Sequence, residues 1–411
     1  MASEFSDPEN FPIFENILRQ LKDVSYLSQI IFGLDQATEE DVFQLRDLIT
    51  KHKIKNHLIQ WNDGPGFKSI YEKLNKAGFN ITEAGKGKNM FLSFGIAMAL
   101  GAESVGLVDA DIRTFKRVQL DRLFYPVVVL NYDFSKAFYS RIMDKALYGR
   151  VKRLLLDPLL LALKRKFTES REEKMLRLID FLLGFNYQLS GEVVFRVDLL
   201  KKMRFATNWG VEIFTLIEVY RKASSPAQVM FSMEPFDHKH QGISDDDGSR
   251  GLNRMAIDIV TTLMNALVIE EGLEISETFF RDLAITYQAV AEEQIKKYSD
   301  DASFSNLRHD RDSEEYMVRN VFRNSILSAG ELLTSPYRTT ERFLRFVNSH
   351  PEFKPFLENG LAETVLSVEQ KIKESIFEFP QTVSWERVYN KLPQIPYDLI
   401  EVVEQEKRRL S

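Results

Sequence analysis

Short apolar runs alternate with helical stretches over the first hundred residues, and the connections between them are short. This alternation constrains the fold more than any other feature of the chain. Residues 29–34 and 57–61 are apolar runs of strand length, and residues 14–21 have helical apolar spacing. Thr38 followed by Asp41 predicts a helix cap, with the helix running to about Lys51. Asn62-Asp63-Gly64-Pro65-Gly66 is a strong turn signal, and a helix is expected from there to Ala77. Residues 88–100 predict another helix, and Val105, Leu107 and Val108 a short buried strand. Strands separated by helices imply an α/β class, with a mostly parallel sheet flanked by helices on both faces.

Further along, the pattern is mixed. Residues 126–132, 134–139, 191–196 and 228–233 read as strands, and 154–165, 172–183 and 211–220 as helices. A polar loop over 238–249, containing Asp245-Asp246-Asp247, marks a boundary. Beyond it amphipathic helix is almost continuous, clearest over 252–267, 278–298 and 316–333. The expected organisation is an α/β domain over 1–243 and an all-helical C-terminal region over 244–411, used for packing or dimerisation. No internal repeat is visible.

Composition narrows the function classes. The 411 residues are 44% hydrophobic, enough to bury a sizeable core, and the 31 Phe residues call for extensive packing surfaces. The net charge of −6 does not favour general nucleic-acid binding, so an anionic ligand needs local Lys and Arg. With no Cys there is no disulfide, thiolate metal site or cysteine nucleophile. Residues 1–10 are polar and acidic, unlike a signal peptide, and no uninterrupted apolar run reaches spanning length. The expectation is a soluble cytoplasmic protein, with no membrane and no nucleic-acid partner.

Several motifs could carry chemistry. Asp109 and Asp111 sit where the third strand should end. Residues i and i+2 of a strand share a face, so the two carboxylates can converge on one point. Hard oxygen ligands at the carboxyl end of a strand suit a divalent cation bound with a diphosphate. An acidic turn that closes a strand is the plainer alternative. Gly85-Lys86-Gly87-Lys88-Asn89 precedes a helix, where backbone and cation together favour an anion. It departs from the phosphate-binding loop, with Asn80 for the first Gly and Gly87 for the Ser/Thr, and a solvated basic turn is the alternative. Gly149-Arg150-Val151-Lys152-Arg153 places three cations at a helix start, against the dipole, unless an anion binds there. Glu212, in Trp209-Gly210-Val211-Glu212, falls in a first helical turn, where a carboxylate is favoured in any case. Trp209 fits a core position equally well. His238 and His240 in a loop offer metal ligands, or simply a polar surface.

Taken together and in order, Gly85-Lys86-Gly87, Asp109-Ala110-Asp111, Gly149-Arg150-Val151, Leu189-Ser190-Gly191-Glu192, Trp209-Gly210-Val211-Glu212 and His238 resemble the glucosyl-3-phosphoglycerate synthases. These are retaining glycosyltransferases with a GT-A fold, related to the mannosylglycerate synthases. The similarity covers residues 2–255. It implies transfer of a hexose, most simply glucose, from a nucleoside-diphosphate sugar to 3-phosphoglycerate, as in compatible-solute synthesis. It implies Asp111 and His238 as ligands of Mg²⁺ or Mn²⁺, and Asp109 near the donor ribose or the metal. Lys86 would contact the nucleotide, Leu189 and Glu212 would lie beside the transferred sugar, and Glu4 would meet the base. Gly149, Arg150 and Lys152 would hold the acceptor phosphate. A homodimer is also implied.

The chain departs from the family pattern in places. The family's first strand should precede Ala2 and is not present in this sequence. Lys152 stands where Thr is frequent and Trp209 where Tyr is frequent, which bears on acceptor identity. His240 competes with His238 as ligand. Other readings are a hexosyltransferase for another small acceptor such as glycerate, and a non-catalytic nucleotide-sugar-binding protein. A nucleotidyltransferase would share the paired Asp and the Lys, but not the His238 loop or Glu212.

Overall fold

The computed structural model describes residues 5, 7, 10–79, 81, 86–143, 145–234, 236–237, 251–334 and 382–410. The chain begins α1 (Phe11–Leu21), β1 (Ile30–Leu34), α2 (Glu39–Lys51), β2 (His57–Trp61), α3 (Pro65–Lys76), α4 (Lys86–Ala99), β3 (Ser104–Leu107), α5 (Arg117–Val128) and β4 (Phe134–Phe138). A small hairpin follows, β5 (Ile142–Met143) and β6 (Ala146–Leu147). Next come α6 (Asp157–Ser170), α7 (Glu173–Leu183), β7 (Val193–Arg196), α8 (Val197–Leu200), α9 (Val211–Lys222) and β8 (Pro226–Met230). The C-terminal region supplies α10 (Gly251–Glu271), α11 (Glu277–Phe304), α12 (Arg311–Met317), α13 (Trp385–Lys391) and α14 (Ile395–Leu410).

The expected class holds: mixed α/β, followed by helices. Local signals explain several boundaries. The Thr38 side chain accepts from the Asp41 amide while the Asp41 carboxylate accepts from the Thr38 amide, the reciprocal cap expected at α2. Pro65 opens α3 where its missing N–H costs nothing. Val151–Leu156 forms a widened π-helical turn ahead of α6. Pro158 has no N–H to offer the carbonyl of Leu154, and the buried Tyr287 hydroxyl donates to it instead at 2.5 Å.

Three sequence expectations are corrected. Residues 126–132 are not a strand: Pro126 lies within α5, which ends at Val128. The run is apolar enough for either state, and tertiary packing decides. The sheet is not continuous. β1 and β2 form one parallel pair, and a separate sheet has the order β3-β7-β4-β8, with β7 antiparallel to both neighbours and β4 parallel to β8. The third strand is also not buried, because every residue of β3 is only half-buried.

The C-terminal helices share a core with the α/β half. Trp385 stacks on Phe91 of α4 at 4.4 Å and 12°, and its indole N–H donates to the Phe91 carbonyl at 2.9 Å. Helix α10 is long and apolar enough to cross a membrane by length and composition alone. Ile259, Val260, Leu263, Met264 and Leu267 of α10 are buried in the same core as Val211 and Phe214 of α9. The polar loop expected to mark the domain boundary lies outside the described residues.

Candidate functional site

A cavity of about 1770 Å³ opens between the β1–β2 pair and the larger sheet. Lys86, Asp109, Asp111, Gly149, Arg150, Lys152, Leu189 and Glu212 all line it. The sequence spreads these residues over 126 positions between Lys86 and Glu212, and the fold gathers them at one mouth. Glu4, His238, His240 and Gly85 lie outside the described residues.

Lys86 opens α4, and its ammonium bridges two carboxylates. It lies 2.8 Å from Asp109 Oδ1 and 2.9 Å from Glu212 Oε1. Burial alone would weaken its basicity, but Asp109 and Glu212 outweigh that and hold it well above the usual lysine range. The first turn of α9 supplies Glu212, so the predicted helix-start carboxylate is spent on an ion pair across the site. Gly191 makes this geometry possible: a Cβ there would lie 2.3 Å from Asp109 Oδ2 and 2.8 Å from Lys86 Nζ. The rest of the Lys86 motif is structural. Gly87 packs so closely that a Cβ would sit 2.0 Å from the Ala206 carbonyl oxygen. Lys88 turns away, with its ammonium 4.4 Å from the Tyr71 ring centre. Asn89 donates to the Gly33 carbonyl at 3.1 Å, tying α4 to β1.

The turn carrying Leu189 is pinned from beneath. Ser190 Oγ donates to the Ala137 carbonyl at 2.6 Å, and Lys136 Nζ donates to the Ser190 carbonyl at 2.6 Å. Burial depresses the Lys136 amine to about 8 despite the neighbouring carboxylates. Glu192 is fully buried and accepts from the Tyr139 hydroxyl at 3.0 Å. Burial, reinforced by Asp109, pushes its carboxyl up to about 8. Lys136 was not singled out in the sequence. Its signal is a lysine between Ser135 and Ala137 in a strand otherwise made of core residues.

The three-cation helix start resolves into separate roles. Lys152 is ion-paired with Asp157. Arg153 is tied to Glu314 at 2.6 Å and lies 4.8 Å from the Tyr298 ring centre, which locks this turn to α11 and α12. Two of the three cations thus meet carboxylates of the chain itself, and the Arg150 guanidinium lies 3.9 Å from Met317 Sδ. Gly149 has φ +77°, a conformation that favours glycine, and this turns the chain into the helix. Arg141, which follows β4, adds a further cation to the cavity lining. Trp209 is not core: it is 43% exposed at the cavity.

Among the described residues no group of three or more His, Asp or Glu side chains is arranged to hold a metal ion. The donor chemistry still suits a hard divalent cation. Asp111 reaches the same cavity as Asp109. Asp237, the chain neighbour of His238, is fastened next to the Asp111 turn: the Arg113 amide donates to its carbonyl at 2.9 Å, and its own amide donates to Thr114 Oγ1 at 3.3 Å.

No family model matches the chain. It is 32% identical over 410 residues to a glucosyl-3-phosphoglycerate synthase from Persephonella marina, covering 99% of this chain and 88% of that protein. It is 32% identical over 332 residues to a glucosyl-3-phosphoglycerate synthase from Methanococcoides burtonii, covering 80% and 79%. Among solved structures it is similar to the Mycobacterium tuberculosis glucosyl-3-phosphoglycerate synthase bound to Mn²⁺, UDP-glucose and phosphoglyceric acid, with TM-score 0.45, 19% identity, and 64% and 77% of the two chains covered. It is also similar to the mannosyl-3-phosphoglycerate synthase of Rubrobacter xylanophilus, with TM-score 0.45, 20% identity, and 65% and 75% covered.

Proposed function

The chain belongs to the glucosyl-3-phosphoglycerate synthase family, and from that premise we propose that it transfers the glucosyl group of UDP-glucose to 3-phosphoglycerate with retention at the anomeric carbon. The observation that carries the reading is Lys86, held between Asp109 and Glu212 at the mouth shared with Arg150. The bond from the sugar C1 to the diphosphate oxygen breaks, and a bond to the acceptor's hydroxyl oxygen forms. In this reading the hydroxyl proton goes to the departing phosphate, the front-face route that the family resemblance implies.

The residues divide the work. Lys86 and the backbone N–H groups at the start of α4 stabilise charge building on the leaving diphosphate. Asp111 and His238 would hold Mg²⁺ or Mn²⁺, which supplies a clamp on the same charge. Asp109 orients Lys86 and faces the donor ribose, and Glu4 meets the base. Leu189 and Glu212 flank the sugar. Gly149 and Arg150 receive the acceptor phosphate, with Lys152 beside them. The helical region additionally supports a homodimer, for which Ile285 and Tyr316, each 62% exposed, offer apolar surface.

A donor–acceptor matrix tests the assignment. Purified protein with Mg²⁺ or Mn²⁺ is given UDP-glucose or GDP-mannose against 3-phosphoglycerate, glycerate or glycerol 3-phosphate. UDP-glucose with 3-phosphoglycerate is expected to turn over fastest. Preference for GDP-mannose or for an unphosphorylated acceptor would overturn the substrate assignment.

A further inference from the structure

One short stretch of the C-terminal region, residues 308–317, grips the turn that bears Gly149 and Arg150. Arg153 lies one helical turn past Gly149 and folds back over it. Its Nε donates to the Tyr148 carbonyl at 3.0 Å and its Nη2 to the Leu147 carbonyl at 3.5 Å. Its backbone amide donates to the Gly149 carbonyl at 3.0 Å. Three successive carbonyls, of Leu147, Tyr148 and Gly149, are thus held by one residue.

Glu314 of α12 holds the other side of that guanidinium as a fork. Its Oε1 lies 2.6 Å from Arg153 Nη2 and its Oε2 3.3 Å from Arg153 Nη1. Both residues are buried. Glu314 Oε2 also lies 3.0 Å from His309 Nε2, on a side chain only 5% exposed. The neighbouring residues reinforce the grip. The Arg308 amide donates to the Lys145 carbonyl at 2.5 Å, and Ala146 bridges to Arg308. Met317 Sδ lies 3.9 Å from Arg150 Nη1.

Anchoring α12 does not require a buried ion pair, because an apolar pair of similar volume holds two elements together about as well. What the pair adds is direction. With its fork fixed by Glu314, the guanidinium keeps its remaining N–H groups on the carbonyls before Gly149. Gly149 has φ +77°, and an unanchored glycine there would leave the turn many conformations. A turn already ordered binds its ligand without the cost of ordering it. We propose, on the reading that Gly149 and Arg150 receive the acceptor phosphate, that Glu314 is a positioning residue for the acceptor: through Arg153 it holds this turn in its receiving geometry. A residue of the helical region would then set acceptor affinity without touching the acceptor.

Steady-state kinetics with UDP-glucose and 3-phosphoglycerate test this on Glu314→Gln, Arg153→Met and the double variant. Glu314→Gln keeps the shape and removes the charge. It is expected to raise the 3-phosphoglycerate KM tenfold or more and to leave the UDP-glucose KM within twofold. Arg153→Met should do the same, and the double variant should be no worse than the worse single, since both break one clamp. A carboxylate that only stabilised the fold would lower the active fraction, and so kcat, with both KM values unchanged. That result would overturn the proposal, as would an equal rise in both KM values or multiplying effects in the double variant. If Glu314→Gln does not fold, Glu314→Asp, which keeps the charge at shorter reach, gives the readout. A threefold or greater rise in the acceptor KM alone supports the proposal, and an unchanged acceptor KM overturns it. Arg150→Ala, measured alongside, separates the two readings. If it raises the acceptor KM and Glu314→Gln does not, only the role of Glu314 falls. If Arg150→Ala leaves the acceptor KM unchanged, the placement of the acceptor phosphate falls, and the role of Glu314 with it.

Discussion

Lys86 faces two carboxylates that lie 23 and 126 residues away in sequence. Replacing it, Lys86→Ala, leaves Asp109 and Glu212 facing the leaving diphosphate without the ammonium between them. kcat/KM for UDP-glucose should fall by about 10²–10³, the scale for losing one charge-stabilising donor. A variant within fivefold of the parent would remove Lys86 from the mechanism. Arg150 tests the acceptor side. Losing a charge-assisted bond costs about 1.5–3 kcal/mol, so Arg150→Ala should raise the 3-phosphoglycerate KM roughly ten- to hundredfold and leave the donor KM nearly unchanged. If both KM values rise together, Arg150 belongs to the diphosphate instead. Glu192 gives a pH test. The folded protein keeps the Glu192 proton to about pH 8, whereas the unfolded carboxyl loses it near 4.5. The folded state therefore binds the extra proton between those values, and this group's contribution to stability declines as pH rises through that window. Glu192→Gln keeps a neutral side chain at all pH, so its Tm should gain on the parent from pH 5 to 8 and level off above. A flat difference would mean that Glu192 is already ionised near neutrality. Sequence alone placed Lys86, Asp109, Arg150 and Glu212 as candidates by their motifs. It had no means of showing that Arg153 is neutralised by Glu314, which lies 161 residues away.

At the scale of elements, Trp385 is one residue that ties the tail to the α/β half. Gly95 in α4 has no side chain because the Trp385 ring occupies that space; a Cβ would sit 2.1 Å from it. Trp385 is fully buried. Trp385→Ala should cost about 3–5 kcal/mol, read as a lower urea midpoint at unchanged slope. A loss under 1 kcal/mol would mean that α13 is an ornament on the core. Helix positions were legible because apolar spacing and caps are local, as at Thr38 and Asp41. The strands were less so. The run over 126–132 is apolar in either state, and packing of α5 against the sheet, not propensity, selects helix there. The burial expected of Val105 and Leu107 was overturned, since every residue of β3 is only half-buried, and an apolar run does not report how fully its neighbours cover it.

For the whole molecule, the cavity brings together residues from both sheets, from the turn ahead of α6 and from α10 of the C-terminal region, whose Leu252, Met255 and Ile259 line it. That arrangement brings motifs spread over 126 positions, from Lys86 to Glu212, to one cavity, while Arg153, one of the three cations ahead of α6, anchors α12 through Glu314. The metal belongs to the same scale. Its expected ligands are Asp111 and His238, so EDTA treatment and Asp111→Ala should each abolish transfer and leave Tm within a few degrees. Retained activity in both would remove the cation from the mechanism. The claim at the centre is retaining glucosyl transfer to the one free hydroxyl of 3-phosphoglycerate. Proton NMR of a reaction containing the protein, Mg²⁺, UDP-glucose and 3-phosphoglycerate reads it directly. The account predicts an α-anomeric glucosyl product formed one for one with UDP. A β-anomer, or UDP released with free glucose and no new glycoside, would contradict it.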